Sequence, residues 1–159
     1  MTFTIVFLIA FIASFGLRHW LSQRQIHYVA KHRDAVPAEF AEKVTLAEHQ
    51  KAADYTIAKL RLGIIENGVS AIILICFTLL GGLQILNMAL LQLLGEGIPQ
   101  QMALLVSIVL ISGVLDIPFS WYKQFHLEER FGFNRMTKKL FFSDMFKGIS
   151  VGSAIGVPL

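Results

Sequence analysis

The sequence predicts an all-α, polytopic membrane protein: three transmembrane spans plus a truncated fourth, with amphipathic cytoplasmic helices between them. Three observations carry that prediction. Of 159 residues, 55% are hydrophobic and only 16% charged, whereas a soluble domain carries about a quarter charged residues. The apolar residues gather into four runs almost free of charge: 1–17, 63–94, 102–121 and 149–159. All 14 Lys and Arg fall into two segments, eight from Arg18 to Arg61 and six from Lys123 to Gly148.

The basic segments set the topology, because Lys- and Arg-rich loops resist translocation during insertion. Segments 22–62 and 123–148 are therefore expected in the cytoplasm, with the N-terminus outside. The first span, about residues 1–21, has no basic residue before it and Arg18, His19 and Arg24 directly at its end. It reads as an uncleaved anchor rather than a secretory signal. The second run, 63–94, would measure about 48 Å as one helix, well beyond the ~30 Å of hydrocarbon. It must tilt, break or leave the bilayer; Gly81-Gly82 is the expected hinge, and Gln84, Asn87 and Gln92 suggest a wet distal part. The third span, 102–122, carries Pro118 near its end and closes on Trp121, Tyr122 and Lys123, an interfacial anchor. The last run, 149–159, is about half the length of a span and reads as a membrane helix cut short. In it Gly148, Gly152 and Gly156 share a face by four-residue spacing, either for close helix contact or because glycine is common in membrane helices.

Both cytoplasmic segments carry helical patterns. Between Pro37 and Leu62, Phe40, Val44, Ala47, Ile57 and Leu60 keep to one side among charged residues. Downstream, Asn134 is the expected N-cap of a helix through Lys147 with Met136, Leu140, Phe141 and Met145 on its apolar face. Arg135, Lys138 and Lys139 would then meet anionic headgroups. Membrane contact explains these basic and aromatic residues, and no nucleic-acid partner is expected.

The chemistry-bearing residues fit no catalytic pattern. His19, His27, His32, His49 and His126 form no H-E-x-x-H, and Cys76, the one cysteine, excludes a zinc site built on several thiolates. A phosphate-cradling glycine loop is missing. The remaining candidates are the ionisable and polar groups near span ends, Glu66, Asn67 and Asp116, which serve either a functional or a structural pairing.

The order Pro118-Phe119-Ser120-Trp121-Tyr122-Lys123, Leu127 through Arg135 (LEERFGFNR) and Phe142 through Gly148 (FSDMFKG) resembles the integral-membrane zinc CAAX prenyl endopeptidases. Ala154 through Pro158 (AIGVP), and Lys51, Tyr55, Lys59 and Arg61 with Arg24-Gln25, are similar to further stretches of that family. The resemblance implies the N-terminal membrane part of a larger metallopeptidase. Its zinc would be held by an H-E-x-x-H motif and a downstream Glu, and its substrate would be a prenylated or membrane-delivered peptide. Those catalytic and metal residues are not in this sequence, so no cofactor and no catalysis are expected of these residues alone. The expected partners are membrane lipids, the catalytic remainder of the protein and the substrate. The resemblance assigns a scaffold role, with Glu129, Arg130, Phe131, Gly132, Phe133 and Asn134 as candidates for a polar network at a cytoplasmic entrance or for a local turn and cap. The alternative is a small non-catalytic membrane protein, a transporter or assembly subunit.

Overall fold

A computed structural model describes residues 2–156, with side chains described through residue 152. Every regular element among them is helical: α1 (Thr2–Lys31), α2 (Leu46–Thr78), α3 (Gly82–Leu94), α4 (Ile98–Tyr122), the single turn α5 (Glu128–Arg130) and α6 (Lys138–Gly156). Helices satisfy every internal backbone group within one segment, which hydrocarbon demands. Three stretches, Thr2–Lys31, Leu46–Thr78 and Ile98–Arg130, are long and apolar enough to cross a membrane. The chain forms two units, one up to Leu80 and one from Gly81 onward.

In the first unit α1 packs against α2. The helix of α1 does not end with the predicted span at 21 but continues to Lys31. Its polar last third stays helical because Ser22, Ile26 and Val29, half-buried at helical spacing, form a continuous inner face. After a bend and a 3₁₀ turn, Ala38–Phe40, α2 starts at Leu46, well after the predicted start at Pro37. The physical reason is a capping box. Thr45 Oγ1 accepts from the Glu48 amide at 3.3 Å, and Glu48 Oε2 accepts from the Thr45 amide at 2.9 Å and its hydroxyl at 2.8 Å. Two orphan amides of the first turn are thereby satisfied, which Pro37 cannot offer.

The predicted 63–94 run is not one helix. α2 ends at Thr78, Gly81 adopts φ +79°, and α3 begins at Gly82. The left-handed conformation is accessible to glycine and costly for residues with a Cβ, so the expected hinge is also a true helix break. α3 has 13 residues, about 20 Å, too short to span.

In the second unit α3 packs against α4 across a turn containing Gly95 (φ +72°) and Gly97 (φ +148°). The Gln100 side-chain amide donates to the Asn87 carbonyl oxygen. Gln100 is the one buried polar side chain among the described residues, so this bond locks the hairpin where water is excluded. α4 begins at Ile98, with Pro99 in its first turn, four residues ahead of the predicted 102. The predicted interfacial helix and the last apolar run form one helix, α6, starting at Lys138; the predicted 157–159 lie outside the described residues.

The interior is thin. Among the described residues the buried hydrophobic side chains are Ala53, Leu62 and Leu127, while Ile9, Ile72, Leu80, Val109 and Phe146 are largely exposed. In water such a surface would collapse or aggregate; in a bilayer it is matched to the acyl chains.

The Thr45 backbone amide and then its hydroxyl hold the Glu48 carboxyl below the usual glutamate range. With the folded value below the unfolded one, the cap's contribution is complete above about pH 4.3 and is lost as pH falls through the lowered value. Glu48→Gln keeps the capping geometry without the titration and is expected to flatten this acid limb. Thermal unfolding in detergent between about pH 6 and pH 3 measures it; a variant with the parent's acid limb would disprove the linkage.

Candidate functional site at the α4–α6 junction

The most specific stretch of the sequence lies where α4 runs out. Pro118 lacks the amide that would bond one turn back, and the helix passes at Lys123–Leu127 into a π-helical turn. The Lys123 amide there is shared between the carbonyls of Phe119 and Ser120. The one-turn helix α5 follows and ends in a Schellman cap: Gly132, at φ +70°, donates to the Glu129 carbonyl at 3.0 Å, and Phe133 to the Glu128 carbonyl at 2.8 Å. Phe133 is therefore placed directly after the cap with its ring exposed, while Leu127 in the preceding turn is buried. This geometry explains the order Phe131-Gly132-Phe133 that composition leaves unexplained: only glycine adopts that φ readily.

Asn134 then fixes the exit. Its Oδ1 accepts from the Met136 amide at 2.8 Å, an Asx turn, and from Gln124 Nε2 at 2.8 Å. The same Gln124 amide donates to Glu128 Oε2 at 3.0 Å. Asn134 is not the N-cap of the following helix. Thr137 accepts from the Leu140 amide at 3.2 Å instead, and α6 starts one residue later, at Lys138.

An aromatic cluster joins α6 to the end of α4. Trp121 stands 4.4 Å from Phe125, 5.6 Å from Phe141 and 5.8 Å from Phe142 between ring centroids. Lys138 Nζ lies 5.8 Å over the Trp121 ring, a cation–π contact.

Of the predicted network, the structure brings together Asn134, Gly132 and Phe133 through the cap and turn. Glu129 contributes its carbonyl, and Arg130 lies 5.8 Å over the Phe131 ring. The acidic side chain in the network is Glu128 rather than Glu129, and Gln124 joins it. A helical i, i+4 spacing relates Gln124 to Glu128 and was available in the sequence as a signal.

Glu66 and Asn67 are half-buried on α2 and Asp116 is exposed on α4. None of the three makes a hydrogen bond or ion pair among the described residues. Gly148 and Gly152 lie on α6 with open space where a Cβ would stand, and Gly156 continues the same spacing along the helix.

Sequence reasoning missed the polar clamp of the first unit. Arg33 forks onto Asp54, Nε to Oδ1 at 2.7 Å and Nη2 to Oδ2 at 2.9 Å, while its Nη1 reaches Asp34 at 2.9 Å. Gln50 Nε2 donates to Asp34 at 2.9 Å, and His49 Nε2 lies 3.0 Å from the His32 carbonyl. The hydrogen bond to Asp54 is the first cause raising the Arg33 pKa from an already high value, so the fork stays charged. The groups are partly solvated, which screens the attraction; the fork geometry fixes the register of the hairpin. A separation of 21 residues between Arg33 and Asp54 leaves no local signal.

Zinc does not fit these residues. Among the described residues no group of three or more His, Cys, Asp or Glu could hold a metal ion. His32 and His49 take part in the clamp, and His126 stacks on Tyr122 at 5.3 Å.

Comparison with known proteins agrees with this architecture. A family model described as the CAAX prenyl protease N-terminal region, with five membrane helices, matches residues 25–159. CAAX prenyl protease 1 of Saccharomyces cerevisiae is 26% identical over 158 residues, covering 93% of this chain and 34% of that protein. The probable CAAX prenyl protease 1 of Schizosaccharomyces pombe is 28% identical over 149 residues, covering 86% of this chain and 31% of that protein. The crystal structure of S. mikatae Ste24p matches with a TM-score of 0.84 at 27% identity, over 94% of this chain and 36% of that one. The chain thus spans about a third of the length of these relatives.

Gly132→Ala is expected to destabilise the purified chain by about 1–2 kcal/mol, the cost of forcing a Cβ into the left-handed region. Gly148→Ala meets open space on a helix and is expected to be neutral or stabilising by up to about 1 kcal/mol. Unfolding in mixed micelles compares the two; equal losses would reject the capping assignment.

Proposed function

Since this chain belongs to the CAAX prenyl protease N-terminal family, we propose that it forms the N-terminal membrane scaffold of a zinc metalloendopeptidase. The substrates of that enzyme would be prenylated or otherwise membrane-delivered C-terminal peptides. The family match over residues 25–159 carries the reading, and the TM-score of 0.84 with S. mikatae Ste24p supports it. The zinc ligands and the catalytic base belong to the remainder of the enzyme. The contribution of these residues is mechanical: helices that form part of a membrane wall, and a capped loop at residues 123–137 that shapes its cytoplasmic mouth.

The protein is an integral membrane protein. Its proposed orientation places the N-terminus and the α3–α4 turn outside and both basic segments in the cytoplasm, on the strength of the Lys and Arg distribution. The network of Gln124, Glu128 and Asn134 would hold the loop rigid without touching the scissile bond.

The functional reading is tested by a chimera in which residues 1–159 replace the corresponding part of the S. cerevisiae protease. Cleavage of a farnesylated peptide above the level of a catalytically dead control is the expected outcome. A chimera that accumulates in the membrane with zinc bound and leaves the peptide intact would refute the scaffold assignment. Orientation is tested separately in a Cys76→Ser background. Glu96→Cys should react with an impermeant maleimide from outside, and Lys43→Cys and Arg135→Cys only after permeabilisation. The reverse pattern would invert the topology.

A further inference from the structure

The ten residues from Arg130 to Lys139 hold four cations, Arg130, Arg135, Lys138 and Lys139, and no acid. All four are exposed. Of the neighbouring acids, Asp144 pairs with Lys147 at 3.8 Å, while Glu128, which accepts from the neutral Gln124 amide at 3.0 Å, and the exposed Glu129 precede the group. Arg135 and Lys139 make no hydrogen bond or ion pair among the described residues. The four cations thus outnumber the two carboxylates beside them, and the Schellman cap, the Asx turn and the Trp121 cluster hold the segment in place.

Their setting is as informative as their charge. The group stands beside the Trp121-Tyr122-Lys123 anchor that ends an apolar helix, and Phe133 and Phe142 are exposed among the cations. A polar partner such as an acidic peptide would leave those rings in water. A bilayer interface takes both, with rings at the acyl boundary and ammonium and guanidinium groups at the phosphate level. We infer that the α4–α6 junction is a binding site for anionic phospholipid headgroups, with Lys138, Lys139 and Arg135 as phosphate ligands and Trp121, Phe133 and Phe142 as the interfacial platform. Lys138, seated over the Trp121 face, couples the two halves: the ring orients the ammonium and shields one side of it, leaving its other donors for the phosphate. Anionic lipid then fastens α6 to the end of α4 beyond what the ring cluster does alone.

The inference requires membrane embedding but neither the peptidase reading nor the orientation, and its test uses symmetric nanodiscs. The chain with Trp20→Phe leaves Trp121 as its single tryptophan. Nanodiscs of phosphatidylcholine receive the same fraction of brominated phosphatidylserine or brominated phosphatidylcholine, and quenching of Trp121 is compared. The serine lipid is expected to quench preferentially, with the preference falling by up to about five-fold for each of Lys138, Lys139 and Arg135 changed to Gln. The preference should shrink in high salt and survive Lys138→Arg with Lys139→Arg. Equal quenching by both lipids, or a preference unchanged in the triple Gln variant, overturns the site. Far-ultraviolet circular dichroism and thermal unfolding in discs without bromine, unchanged between parent and variant, establish that the variant is folded.

Discussion

Backbone hydrogen bonding inside hydrocarbon is the constraint from which the rest of this structure follows. No water is available there to satisfy an amide or a carbonyl, so each crossing segment closes its own bonds as a helix. Once that is done, hydrocarbon gives helices little reason to adhere to one another, since acyl chains are as apolar as Leu or Ile. The exposed Ile, Leu and Phe side chains along α1, α2 and α4 are the visible result. What holds elements together must then be local and directional.

Polar latches near helix ends and turns supply that direction. In the first unit the Arg33 fork onto Asp54, seconded by Asp34, Gln50 and His49, closes the loop between α1 and α2. In the second, Gln100 and Asn87 join α4 to α3, and Gln124 ties Glu128 to Asn134 beyond the end of α4. The first and last operate in partly solvated surroundings, where geometry matters more than Coulomb energy. The Gln100–Asn87 pair is drier, and a lone buried amide there would cost more than the bond itself contributes.

The loop after α4 shows how a specific motif can be structural in origin and still matter for function. Its order of residues is set by a π turn, a Schellman cap and an Asx turn in succession, each demanding particular chemistry at one position. Such a chain of turns leaves little conformational entropy to lose when a partner or lipid docks. Such rigidity is what the proposed scaffold role would require of a loop at the membrane surface.

The sequence by itself determined the all-helical class, the membrane setting, the family and the Gly81-Gly82 break, because charge segregation, run length and glycine act locally and need no tertiary partner. It also determined which loop is distinctive. Helix starts were misplaced at Pro37 and Asn134 because the deciding caps, Thr45 with Glu48 and Thr137 with Leu140, compete with neighbouring residues that look equally suitable. Only the tertiary structure decided that Arg33 meets Asp54, that Gln100 is buried against Asn87, and that Trp121 gathers Phe125, Phe141, Phe142 and Lys138. Apart from Trp121–Phe125, which are neighbours by i, i+4 spacing, these contacts join residues whose separation in the chain carries no periodic signal, and they exist because helix ends are brought side by side, a geometry fixed by the turns between them.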